Sequence, residues 1–127
     1  MSDILIVDDD GDVRRTLRRI LELDGHVVVS CADGHEALSA LSARRPDLII
    51  TDMYMPEMDG IEFLTRLREQ DAELPVLAVS GGAAASADFV LEDASQLGAN
   101  AVLAKPYDIE DMRAMVRDLL TGRRSTP

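Results

Sequence analysis

The sequence predicts an α/β fold, a single parallel sheet of five strands with helices on both faces. Two observations carry this reading. Short apolar runs recur near residues 4–7, 27–31, 48–51, 75–79 and 101–104, each with the length and composition of a strand buried on both sides. Between them lie stretches whose apolar residues repeat at helical spacing, and such alternation through short connections builds a parallel sheet with covered faces.

The elements follow in order. Ile4-Leu5-Ile6-Val7 is the first strand, and Leu17, Ile20, Leu21 and Leu23 form a helical stripe after Asp12, a possible cap, with Gly25 as a stop. Val27 to Cys31 make the second strand, and Ala37, Leu38 and Leu41 mark a helix that ends before Pro46. Leu48-Ile49-Ile50-Thr51 is the third strand. Ile61, Phe63, Leu64 and Leu67 form a third stripe between Gly60 and the acidic turn at Asp71 to Glu73. Val76-Leu77-Ala78-Val79 is followed by the small-residue stretch Gly81-Gly82-Ala83-Ala84-Ala85, read as a flexible loop. A helix is predicted from Ser86 to Leu97, ending at Gly98. Ala101 to Ala104 make the last strand, and Ile109, Met112, Met115, Val116, Leu119 and Leu120 the last helix, opening after Asp108 and closing at Gly122.

Composition narrows the function. The 127 residues fit one domain, and 46% hydrophobic content is enough for a core. Residues 1–121 form that domain, with 122–127 a tail or the start of a linker. Twenty-four acidic against 13 basic residues give a net charge of −11, which favours solubility and repels phosphate backbones, so nucleic acid is not an expected direct partner. The single cysteine, Cys31, excludes an intrachain disulfide and reads as a core thiol. No secretory leader and no membrane-length apolar span is present, so cytoplasmic residence is the expectation.

The residues that carry chemistry sit at strand ends. In open parallel sheets the ligand crevice lies beyond the carboxyl ends of the strands. Asp8, Asp9 and Asp10 follow the first strand and Asp52 ends the third. Carboxylates gathered from separate strands repel one another unless a hard cation lies between them, and Mg²⁺ takes one or two carboxylates together with phosphate oxygens. The plainer alternative is a turn and a helix cap. Asp52, at the head of a loop containing Pro56 and the Asp59-Gly60 pair, can act as a nucleophile toward phosphorus or simply cap its turn. Ser80 places a hydroxyl on the same edge. Lys105 is the only lysine in a chain with twelve arginines, a compact ammonium suited to pair with carboxylate or phosphate. Pro106 follows it, and an X-Pro bond can be cis.

Together, Ile4 to Asp9, Thr51-Asp52 with Met55-Pro56 and Met58-Asp59-Gly60, Val76 to Ser80, and Lys105-Pro106-Tyr107 resemble the receiver domain of two-component response regulators, over residues 3–121. Any one of these is weak, whereas the ordered set is specific. The resemblance implies a flavodoxin-like (βα)5 fold with strand order 2-1-3-4-5. It implies that Asp52 is the phosphoacceptor, Asp9 a direct Mg²⁺ ligand, Asp8 a ligand through water, the Tyr54 main-chain carbonyl a further ligand, and Ser80 and Lys105 the holders of phosphoryl oxygens. A histidine kinase or histidine phosphotransfer protein is the implied donor. The implied product is a switch rather than a turnover enzyme, monomeric or dimerising on phosphorylation, that acts on a downstream protein. Val102 departs from the pattern, since relatives often carry an aromatic switch residue there. Gly81-Gly82 is also unusually pliable.

Competing readings are weaker. Asp8-Asp9-Asp10-Gly11-Asp12 resembles the motif of a haloacid-dehalogenase-like phosphatase with Asp8 as nucleophile, but Asp12 replaces the usual threonine. Asp8, Asp10 and Asp12 alternate as in a calcium loop, yet Val13 and Arg19 occupy its required Gly and Glu positions. An interaction module that has lost its chemistry is a third possibility. Arg14, Arg15, Arg18 and Arg19 read as a solvated basic face or a docking patch. His26 and His35 read as surface residues. Met53, Met55 and Met58 read as gap-filling side chains or a partner surface.

Overall fold

The structure is a computed structural model, and it describes residues 2–55, 58–80 and 98–122. The five predicted strands form: β1 (Asp3–Val7), β2 (Val27–Cys31), β3 (Leu48–Asp52), β4 (Val76–Ser80) and β5 (Ala101–Ala104). They make one all-parallel sheet in the order β2-β1-β3-β4-β5. Four helices are described: α1 (Gly11–Leu23), α2 (Gly34–Ala43), α3 (Gly60–Gln70) and α4 (Ile109–Leu120). The loop expected at Gly81 to Ala85, the helix expected from Ser86 to Leu97, and most of the tail lie outside the described residues.

Successive strand residues point to opposite faces, so the continuous apolar runs feed two cores at once. Leu5, Val7, Ile49, Val76 and Ala78 pack with Ala37 of α2 and Phe63, Leu64 and Leu67 of α3. Ile4, Ile6, Leu48, Ile50, Leu77 and Val79 pack with Leu17 and Leu21 of α1 and Met112 and Val116 of α4. Met53, Met55 and Met58 are all buried in the first core, which settles them as gap-fillers. Cys31 is buried too, and loss of hydration pushes its thiol up to about 11.

Helix ends follow local chemistry, with one correction. Asp33, Asp59 and Asp108 cap α2, α3 and α4 through side-chain oxygens. The cap of α1 is Asp10, not Asp12: its carboxylate accepts from the amides of Asp12 and Val13. The helix begins earlier than the apolar stripe, because capping answers to orphan amides rather than to hydrophobic spacing. Asp12 instead pairs with Arg15 on the surface. Gly25, at φ +93°, terminates α1 as expected. These elements leave the carboxyl ends of β1, β3, β4 and β5 along one edge, with the N-termini of α1 and α3 just beyond it.

Candidate functional site

Register brings the predicted residues together. Val7 pairs with Thr51, Asp52 with Val79, and Ser80 with Ala104, so Asp8, Asp52, Ser80 and Lys105 all emerge at neighbouring strand ends. The amide of Asp8 donates to the Cys31 carbonyl and that of Met53 to the Val79 carbonyl, continuing the ladders just past the strands. Gly60 closes the approach of α3 to this edge. A Cβ there would stand 2.5 Å from Met53 Cα and 2.9 Å from the Asp52 carbonyl oxygen.

One carboxylate oxygen from each of Asp8, Asp9 and Asp52 lies within 4.8 Å of the others. At the Mg–O distance of about 2.1 Å, opposite ligands stand about 4 Å apart, so these oxygens fit one hard divalent ion with little movement. Asp8 and Asp52 are buried while Asp9 is exposed, which leaves the cluster open on one side. Lys105 Nζ stands 3.4 Å from Asp8 Oδ2 and 3.7 Å from Asp52 Oδ2, bridging the two buried acids. The Lys105-Pro106 bond is cis. Asp52 Oδ1 accepts from the Tyr54 amide at 3.2 Å. Ser80 is fully buried, and its Oγ has no hydrogen-bond partner among the described residues. A buried hydroxyl is ordinarily paired, so Ser80 suits a ligand oxygen.

The electrostatics match that arrangement. Burial raises the Asp52 carboxyl above the usual aspartate range, helped by Asp8 and Asp9, with Lys105 and the Tyr54 amide pulling the other way. For Lys105, burial favours the neutral amine, but Asp52 and Asp8 together outweigh it and the pKa is raised. The ammonium is therefore charged at neutral pH. Burial also raises the Tyr107 phenol, which lines the narrow cleft beneath Asp8, Asp52 and Lys105 with Ile6, Val13 and Val79.

Of the residues the sequence singles out, the structure brings Asp8, Asp9, Asp52 and Lys105 within reach of one another, sets Ser80 at the end of the neighbouring strand β4, and places the Tyr54 amide on Asp52. Three further residues, to which the sequence assigned no part in the site, touch it. Asp10 donates its amide to Asp8 Oδ1 at 2.9 Å, Arg14 Nη1 donates to the Asp8 carbonyl at 2.7 Å, and Tyr107 walls the cleft. Arg14 is thus no mere member of a solvated basic face, and only the Lys-Pro-Tyr string signalled Tyr107. His35 is exposed, but His26 is half-buried with Nδ1 out of contact with water, a correction that follows from its position at the turn into β2. Val102 is half-buried and packs against the first core.

A five-stranded parallel sheet of this order with acids and a lysine at its carboxyl edge defines a class of phosphoryl-accepting signalling domains. The chain belongs to the response regulator receiver domain family, whose model matches residues 4–117. It is similar to the response regulator MprA of Mycolicibacterium vanbaalenii, 40% identical over 124 residues, covering 98% of this chain and 52% of that protein. The same name and figures apply to a relative from Mycobacterium avium. The chain thus spans about half the length of these curated relatives. Among solved structures, the receiver domain of NtrX from Brucella abortus superposes with a TM-score of 0.87 at 30% identity, over 94% of this chain and 98% of that one. Chemotaxis protein CheY4 of Vibrio cholerae gives 0.83 at 30% identity with the same coverage. The chain is therefore a phosphoacceptor switch domain, and the phosphatase reading finds no support. Among the described residues no helix is long and apolar enough to cross a membrane.

Proposed function

We propose that Asp52 is the phosphoacceptor of this domain, with Asp8, Asp9, Asp52 and the Tyr54 carbonyl holding Mg²⁺. The observation that carries this is the convergence of three carboxylates within 4.8 Å around an acid whose flank is guarded by Lys105. Mg²⁺ supplies charge screening between the acids and the incoming phosphoryl group. An Asp52 oxygen attacks phosphorus, the bond from phosphorus to the donor breaks, and the donor group leaves with that electron pair. Lys105 exchanges its carboxylate partners for a phosphoryl oxygen, and the Ser80 hydroxyl donates to another.

The donor class is a histidine kinase or histidine phosphotransfer protein, and the natural setting is the cytoplasm. The phosphoryl group adds charge and acceptor oxygens that reorganise the neighbouring surface for a downstream protein. On this reading residues 1–121 are the switch domain and 122–127 a tail or the start of a linker. Self-phosphorylation and its reversal are the only chemistry, with no separate turnover. Incubation with acetyl phosphate and Mg²⁺ should add one phosphoryl group, seen by intact mass, to the wild type and none to Asp52→Asn. Equal labelling of the two would refute the assignment. Sedimentation before and after phosphorylation distinguishes a constant monomer from a phosphorylation-dependent dimer.

A further inference from the structure

Asp8 is gripped from four directions. Its amide donates to the Cys31 carbonyl at 3.1 Å, Oδ1 accepts from the Asp10 amide at 2.9 Å, Oδ2 faces Lys105 Nζ at 3.4 Å, and its carbonyl accepts from Arg14 Nη1 at 2.7 Å. Arg14 stands in a protein of net charge −11, one turn into α1 and beside an acidic cluster, yet it makes no ion pair among the described residues. Its neighbours Arg15 and Arg18 pair with Asp12 and Glu22, whereas Arg14 spends its guanidinium on a main-chain oxygen. Gly11 leaves it room to fold back, since a Cβ there would stand 3.4 Å from Arg14 Nη2.

That carbonyl belongs to the peptide joining Asp8 to Asp9. Peptide units are planar, so holding the oxygen fixes the plane and with it the direction in which the chain enters Asp9. The Asp9 side chain is exposed, and its carboxylate has no hydrogen-bond partner among the described residues, so its aim depends on the backbone beneath it.

We propose that Arg14 is a positioning residue for the divalent-cation site, locking the Asp8–Asp9 peptide so that both carboxylates face one ion. This rests on the Mg²⁺ reading given above. Two effects of Arg14 on a cation oppose each other. Its charge repels Mg²⁺, so charge alone predicts tighter binding when it is removed. Its hydrogen bond orients the ligands, and groups that orient metal ligands typically change affinity by about 10- to 100-fold when lost. The sign of the effect therefore separates position from charge.

The test is Mg²⁺ titration of the unphosphorylated domain by calorimetry, with the Mg²⁺-dependent rise in melting temperature as a second readout. Arg14→Met should weaken Mg²⁺ binding about tenfold while retaining the wild-type circular dichroism spectrum. Arg14→Lys, which keeps the charge and a donor but loses the rigid fork, should fall between the two. Arg15→Met, which removes an exposed arginine from the same turn, should bind like the wild type. Unchanged or tighter binding by Arg14→Met overturns the proposal. If that variant does not fold, Arg14→Lys binding as tightly as wild type overturns it. A wild type that shows no Mg²⁺ binding would instead remove the metal reading itself, and this proposal with it.

Discussion

Asp52 shows how a residue useful for chemistry can cost stability. Its folded-state pKa is raised by burial and by Asp8 and Asp9, so folding favours the protonated form. The sign follows: below the ordinary aspartate pKa of about 4 the carboxyl is neutral in both states, and as pH rises through the raised value the folded state is penalised. Without Mg²⁺, Asp52→Asn should therefore melt at a higher temperature than wild type at pH 7. The difference should vanish toward pH 3, and added Mg²⁺ should narrow it by stabilising only the wild type. Thermal melts in chelator and in excess Mg²⁺ check this. Gly60 makes the opposite contribution, because a Cβ would collide with the Met53 backbone. Gly60→Ala should cost about 1–3 kcal/mol in denaturant unfolding, with slowed acetyl phosphate labelling because the Asp52 loop must shift.

The helices owe their starts to side chains that sequence spacing alone does not rank. Asp10 accepts from two orphan amides of α1, while the exposed Asp12 carboxylate pairs with Arg15. Asp10→Ala should thus destabilise the domain by about 1 kcal/mol, and Asp12→Ala should lie within about 0.5 kcal/mol of wild type. Urea midpoints at constant slope distinguish the two. The strands behave differently. Their uninterrupted apolar runs were legible because a strand buried on both faces has no polar position to spare, and β1, β3 and β4 emerge with interior residues almost wholly enclosed.

Across the molecule, α1 and α4 cover one face of the sheet and are tied by Arg113, which donates to both oxygens of Asp24 at 2.9 and 2.6 Å. The hydrogen bond from Arg113 holds the Asp24 carboxyl below the usual aspartate range. A depressed folded pKa gives stability that is present above the unfolded value and lost as pH falls through the folded one. Asp24→Asn should lower the melting temperature at pH 7 and match wild type at the acid end. High salt should shrink the gap, since the pair is partly exposed. Equal melting at every pH would show that the helices are held by Met112, Val116, Leu17 and Leu21 alone.

Most of the architecture and the site could be read from the chain because the signals are local. Five apolar runs announce a parallel sheet, and polar residues immediately after a buried strand have only one edge to occupy. Asp8, Asp9, Asp52, Ser80 and Lys105 were therefore visible as a set before any coordinate was known. Which aspartate caps α1, that Arg14 turns back to a carbonyl rather than outward to water, and that Tyr107 lines the cleft were not visible. Each depends on a choice among near-equal partners that only three-dimensional proximity makes. Hydrophobic periodicity is a property of consecutive residues, whereas hydrogen-bond partnership and burial of polar groups are properties of the packed chain.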